Sequence, residues 1–483
     1  MEPRQRRIEP TTWVIASGVL VVVFSASAQQ PAPGGTDEPV RPKFTFLRFT
    51  EDWSGLRDVD ESQLADPWDS LKYVPLSDDA SIWASFGGHA RLRLESWSDF
   101  AFGSPADADD TFGLWRLALH ADVHFGENVR AFVEGKSALS SDRDLPGGKR
   151  SSDVDSLALE QAFMDLTLSF ADGASLTIRP GRQTFLFGKQ RLVSPLPWSN
   201  TMRRWDGVSG ILEHEGWTVH GFWTQFVPVL KYEFNEAEED IEFYGVYTTT
   251  KIIGDTVGLD LYYLGLERTT ATFNGTTGGE DRHTLGGRLF GKIADTSFDY
   301  DVEGAYQFGE VGTGDIDAFM IGSELGYRLP DVWGSPRLHV GFDYASGDEA
   351  AGGDIQTFNQ LFPLGHAYLG YIDIVGRQNI VDFSGGVSLR PLDRATISLT
   401  GHLFWRAENT DGLYNAGGGV VRAGGLGADD EVGAELDLTI KYKFDSHLTG
   451  LFGYSHFFAG DFIKESGASE DIDFVYAQLE YTF

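Results

Sequence analysis

From about residue 81 onward, polar and apolar positions alternate. In GAELDLTIKYKF, Ala434, Leu436, Leu438, Ile440 and Tyr442 share one phase, and Glu435, Asp437, Thr439 and Lys441 the other. In FDYDVEGAYQF, Tyr300, Val302, Tyr306 and Phe308 oppose Asp299, Asp301, Glu303 and Gln307; in GHARLRLES, Ala90, Leu92 and Leu94 oppose His89, Arg91, Arg93 and Glu95. A period of two belongs to β-strands, whose successive side chains point to opposite faces. About eighteen such segments of roughly ten residues follow one another, the length of a tilted membrane strand. They begin near residues 83, 114, 128, 157, 175, 205, 217, 241, 256, 281, 297, 315, 336, 378, 394, 431, 446 and 471. Short joints (FGEN, EHEG, IIGD, PLDR, FDSH) alternate with long polar ones at 98–112, 140–155, 187–204, 347–377 and 408–430. A soluble sandwich also alternates, but this asymmetry of joints is that of a membrane barrel. The pattern predicts an all-β fold: one transmembrane antiparallel barrel of about 18 strands over 81–483, with short periplasmic turns and long extracellular loops. An even strand count closes the sheet without an edge. The rhythm persists to Phe483, which the alternation places in the periplasmic aromatic girdle.

Residues 1–28 read as a signal peptide: Arg4, Arg6 and Arg7, an apolar run from Trp13 to Phe24, then Ala26-Ser27-Ala28. The apolar run is shorter than the ~20 residues of a membrane helix. Residues 29–80 form a leader, flexible through QQPAPGGTDEP and then polar with spaced tryptophans. It is expected either as a periplasmic arm or tucked into the barrel mouth. The chain has no cysteine, which excludes disulfides, thiolate metal sites and a cysteine nucleophile and suits an oxidising compartment. No GxSxG or HExxH occurs, and adjacent Ser455 and His456 would face opposite ways on a strand. An enzyme is therefore not expected, and neither are a cofactor, a resident metal or a nucleic-acid partner.

Several stretches resemble the alginate export family of outer-membrane proteins: EDWSGLRD with DPWDSLKYVPL, LEQAFMDLTL, RPGRQTFLFGKQRLVSP with RRWDGV, DYDVEGAYQFG, TFNQLFPLGHAYLGYIDIVGRQN, ELDLTIKYKF and GYSHFFAGDF. The similarity runs in order from about residue 44 to the end, and GRQ-to-RRWDG and LFPLGHAYLG are its most specific pieces. The resemblance implies an eighteen-stranded monomeric barrel and passive export of an anionic uronate polysaccharide. It also implies that the terminal aromatic, Phe483, is the signal read by the barrel assembly machinery. Outer-membrane lipid and lipopolysaccharide would surround the barrel, with room for periplasmic export partners. A general or small-solute porin and a structural barrel with a plugged lumen are the alternatives.

A formal net charge of −34 is unexpected for conducting a polyanion, so the placement of cations matters. From Gly173 to Trp205 there is no Asp or Glu, yet Arg179, Arg182, Lys189, Arg191, Arg203 and Arg204 occur there. On a loop folded into the lumen these cations would lower the barrier for carboxylates, which arginine meets with a bidentate fork. The alternative is a basic belt binding lipopolysaccharide phosphates. Arg91, Arg93, Arg116 and Lys136 fall on the polar, inward phase of their strands, and Arg377 follows Leu364-Gly365-His366. Some are expected to pair with the inward acids Glu303, Glu324, Glu435 and Asp437. The acid runs 107–110, 236–240 and 429–431 read as solvated loops without a full calcium-loop spacing. GGGVVRAGGLG reads as a mobile loop.

Overall fold

The computed structural model describes residues 41–483 apart from 61, 63, 65, 105–107, 255 and 428. The signal peptide, residues 29–40 and Asp107 lie outside the described residues. The first nine strands are β1 (Ile82–Ser98), β2 (Asp110–Phe125), β3 (Val129–Ser140), β4 (Asp155–Ser169), β5 (Ser175–Gln183), β6 (Arg204–His214), β7 (Trp217–Val227), β8 (Ile241–Ile253) and β9 (Val257–Phe273). The other nine are β10 (Thr276–Lys292), β11 (Phe298–Val311), β12 (Gly314–Arg328), β13 (Arg337–Ala345), β14 (Ile380–Leu392), β15 (Ala395–Trp405), β16 (Glu431–Lys443), β17 (Leu448–Ala459) and β18 (Ile472–Thr482). Each pairs antiparallel with the next, and β18 returns to β1 from His89↔Thr482 to Ser98↔Asp473. Closure gives the strands' N–H and C=O groups partners in a solvent that offers none.

The barrel is apolar outside and charged within. Leu92, Leu94, Trp115 and Leu117 are exposed on the outer face, while the intervening Arg91, Arg93 and Arg116 are buried. On β16, Leu436 and Ile440 face out and Glu435 and Asp437 face in. Membrane lipid covers the outer set, because a charge there costs a few kcal/mol near the midplane.

The short joints gather at one end, the periplasmic one, and the long loops at the other. Two connections at the long-loop end depart from the expected alternation, being tight turns: Asn274-Gly275 between β9 and β10, and Gly312-Thr313 between β11 and β12. Asn274 and Gly275 both have positive φ (46° and 75°), as a two-residue hairpin turn of the primed type requires. That is why β10, expected near 281, already begins at Thr276. The glycine-rich stretch near 420 is tied down: Leu413–Tyr414 pairs with Val420–Arg422, and Arg422 donates to Ala468 O at 2.7 Å. A short helix, α1 (Asp461–Ser466), connects β17 to β18.

The described residues of 41–80 lie against the periplasmic end. Val74-Pro75 adds a short rung to β1, and the Trp68 ring sits 4.4 Å from that of Phe483. Phe483 extends the seam by one residue, its N–H donating to Gly88 O (2.9 Å) and its carbonyl accepting from Gly88 N–H (2.8 Å).

Candidate functional site

Strands β5 and β13 have nine residues each, where most others have eleven or more. At their upper ends the chain leaves the wall, and loops 184–203 and 346–379 cross the lumen and meet. Val193 and Phe362 form a parallel bridge. Phe362 N–H donates to Leu192 O (2.9 Å), Ser194 N–H to Phe362 O (2.8 Å) and Leu364 N–H to Gln190 O (2.9 Å). The Trp198 and His366 rings stack at 3.8 Å, and Tyr371 meets His366 edge-on at 4.2 Å. Phe185, Trp205, Phe358, Leu369 and Val375 are buried around these loops, so apolar packing holds the crossing in place.

Three predicted cations hold loop 184–203 to the wall. Arg91 donates to the carbonyls of Pro197 (3.0 Å), Trp198 (3.1 Å) and Ser199 (2.8 Å). Arg116 donates to Ser199 O (3.0 Å), with Glu480 3.9 Å away. Arg93 donates to Trp198 O (2.8 Å), pairs with Glu95 (2.8 Å) and lies 3.9 Å above the Trp198 ring. From the loops outward, Arg191 pairs with Asp301 (2.6 Å) and Glu303 (3.0 Å), and Arg377 with Asp343. Lys189, half-exposed, is 3.7 Å from Asp301 and 3.9 Å from Glu324. Of the expected acid partners, Glu303 and Glu324 are thus engaged by cations. Glu435 instead accepts the Ile372 N–H of the second loop at 2.8 Å, and Asp437 stands 3.9 Å from His402.

Three others close a gap in the wall. Pairing of β4 with β5 stops at Ala162↔Arg182, which leaves the upper part of β4 without that neighbour. Arg204 on β6 reaches across to Asp155 (2.9 Å) and Glu160 (2.8 Å), and Lys136 on β3 meets Glu160 at 2.5 Å. All four side chains are completely buried. Loop 228–240 replaces the missing strand, Lys231 O accepting from Ser156 N–H (2.9 Å) and Asn235 donating to Asp155 (2.9 Å). Arg182 corrects the expectation of a lumen cation. Its cross-strand partners are Ala162 and Asp206, and Asp206 is in phase with the exposed Val208 and Leu212. It therefore sits on the outer phase, in a bidentate pair with Asp206 (2.7 Å each).

Arg179 faces inward, bidentate with Asp165 (2.6 and 2.8 Å). It lines a chamber of about 540 Å³ with Phe49, Arg130, Phe185, Phe187 and His220. Arg203, like Arg91, has no carboxylate partner among the described residues; its guanidinium donates to Pro363 O (2.6 Å). Burial pushes it down to about 10, so it is still charged at neutral pH. It lines a second chamber, of about 300 Å³, with Arg93, Trp198, His366 and Asp373.

Sequence reasoning missed Arg282 and Arg288, both buried on β10: Arg282 pairs with Glu280 (2.6 Å), Arg288 with Asp260 (2.7 Å). The signal was present, since both share a phase opposite the outward Leu285 and Leu289. Ser455 is buried while His456 pairs with Asp473 (2.8 Å), so the two do not share a proton. Among the described residues no cluster of His, Asp and Glu forms a metal-holding group.

A family model described as Alginate export matches residues 82–476. The match starts at the first barrel strand, so the resemblance noted for residues 44–81 lies outside it. No match was found among curated proteins. Among solved structures from Pseudomonas aeruginosa, the chain is similar to OccK2 (OpdF), solved in complex with glucuronate. The two are 13% identical, with 85% of this chain and 99% of that one covered and a TM-score of 0.56. It is also similar to OccK11 (OpdR), at 15% identity, with 86% and 98% covered and a TM-score of 0.55. The outer membrane protein OprD is 12% identical, with 85% and 95% covered and a TM-score of 0.53. At these identities the likeness shows the barrel fold.

Proposed function

The chain belongs to the alginate export family of bacterial outer-membrane barrels, and from that premise we propose that it is a channel for passive export of an anionic, uronate-type polysaccharide. The observation that carries the reading is Arg203, a cation without a carboxylate partner beside the crossing of the two lumen loops. Arg91 is bound by loop carbonyls and Asn200 rather than by acids, so its charge too remains uncompensated by contact. In a narrow lumen, screened less than bulk solution, a few such charges outweigh many on the exposed loops. Among the described lumen acids, Glu134, Asp382, Glu435 and Asp437 have no Lys or Arg within salt-bridge distance; Glu435 and Asp437 lie behind loop 346–379, where Gly370 packs directly on the Glu435 carboxylate.

Oligouronates of increasing length, added to the periplasmic side, are expected to block a single channel with residence times that grow with length. A small-solute porin is the second reading, favoured by the two loops that fill much of the lumen and by the similar protein solved with glucuronate. That reading predicts equal block by monomer and oligomer.

A further inference from the structure

Residues 44–53 enter the periplasmic mouth of the barrel. Phe132 and Phe163 are inward cross-strand partners on β3 and β4, and Phe132 stands three residues, or about 10 Å, inside the start of its strand. The Phe49 ring packs against both, at 5.8 and 5.2 Å between centroids, and is buried. Two lumen cations hold it from the sides. Arg179 lies 4.5 Å above the ring, and Arg130, paired with Asp122, donates to the Phe49 carbonyl. The adjoining Arg48 is buried, bonding to Glu51 (2.7 Å), Gly88 O (2.9 Å) and Phe483 O (3.0 Å). Leu47, Phe49 and Thr50 thereby form one side of the 540 Å³ chamber.

The segment has a separate anchor downstream. Trp68 sits on Phe483 and donates to the Tyr481 hydroxyl (2.8 Å), and Asp66 meets His447 at 2.6 Å. Lys72 donates to Phe86 O (2.9 Å), and Val74-Pro75 pairs with β1. Release of Phe49 would leave these contacts intact. What holds Phe49 in place, beyond the two phenylalanines, is a pair of arginines, the side chain a sugar carboxylate recognises most directly.

We propose that residues 47–51 are a periplasmic stopper, seated through Phe49 and displaced when a uronate polymer engages Arg130 and Arg179. The proposal rests on the channel reading for its ligand, but occlusion by the stopper stands or falls on ion conduction alone. Without native cysteines, a Phe49→Cys/Phe163→Cys double variant offers its two introduced thiols alone for a bridge. In planar bilayers with KCl, the oxidised double variant should conduct at least tenfold less than the reduced one, and Phe49→Ala should be open severalfold more often than the native protein. Oxidised and reduced variants of equal conductance, with Phe49→Ala matching native, would overturn the stopper. For displacement, the single variant Phe49→Cys should react with a thiol reagent severalfold faster once polyuronate is added, and not with neutral dextran. An unchanged labelling rate overturns displacement by a polyanion. A lock that closes the pore, combined with cation selectivity of the open Phe49→Ala channel, would retain the stopper and reject the polyanion as cargo.

Discussion

Trp198 and His366 stack at 3.8 Å with their rings 13° from parallel, and through this contact two loops that leave opposite parts of the wall meet inside the lumen. On its other side Trp198 carries the guanidinium of Arg93, itself fixed to Glu95. The crossing is thus built from an aromatic pair, a cation–π contact and three backbone hydrogen bonds, each worth about 1 kcal/mol. Trp198→Ala should loosen the crossing without unfolding the barrel. Single-channel recordings should show larger and noisier conductance with normal heat resistance. Unchanged conductance would mean the crossing does not limit the passage.

Arg204 carries the opposite expectation. With Asp155, Glu160 and Lys136 it forms a buried group of two positive and two negative charges, balanced and remote from solvent. Deleting one member of such a group leaves an unpaired buried charge, at a cost of about 3–5 kcal/mol. Arg204→Met should therefore lower the temperature at which the folded barrel unfolds in SDS, by well over that of Arg203→Met, while leaving ion selectivity in the surviving channels unchanged.

The barrel itself was legible in the residues. Alternation, joint lengths and strand count all derive from one constraint, that lipid-facing and lumen-facing positions must differ at every second residue, and β12 and β17 obey it although glycines, Glu324 and His456 interrupt their apolar runs. The roles of individual cations were not legible. Arg182 and Arg204 are two of six cations in one acid-free stretch, but what decides their roles is that β5 stops at Gln183, leaving a gap that acids from β4 and β6 help to fill. A linear sequence places Arg204 and Asp155 far apart, and only the closure of the wall brings them together. The tight turn at Asn274-Gly275 carries its own signal, an Asn-Gly pair between two alternating segments.

Gly88 and Phe483 form the last rung of the barrel seam. A Cβ on Gly88 would come within 2.3 Å of the Ala118 carbonyl, so Gly88→Val should force the backbone apart at this rung. Phe483→Asp should remove the stacking on Trp68. Both variants should accumulate less in the outer membrane, read by immunoblot of the heat-modifiable form. Native levels of Phe483→Asp would show that the terminal aromatic is incidental to assembly.

The anchor of the N-terminal segment should respond to pH. Burial, with Arg48 next in effect, lowers Lys72 to about 8 from an ordinary value near 10.5; Glu51, Asp66 and Asp69 act in the other direction. Between these two values the released segment binds more protons than the docked one, so docking strengthens as pH rises from about 8 toward 10.5. Protection of residues 41–80 from protease should increase across that window in the native protein and stay flat in Lys72→Met. A decrease in protection with rising pH would contradict the burial of a charged Lys72.

On the reading proposed above, a few uncompensated lumen cations, not the net charge of the chain, set what passes. The most direct measurement is the single-channel reversal potential in a KCl gradient, for the native protein and for Arg203→Glu. The native channel should be anion-selective, and in Arg203→Glu its reversal potential should move toward the cation value, with block by oligouronates weakened at least tenfold. A native channel that already prefers cations, or one whose selectivity and block are unmoved by Arg203→Glu, would contradict that reading.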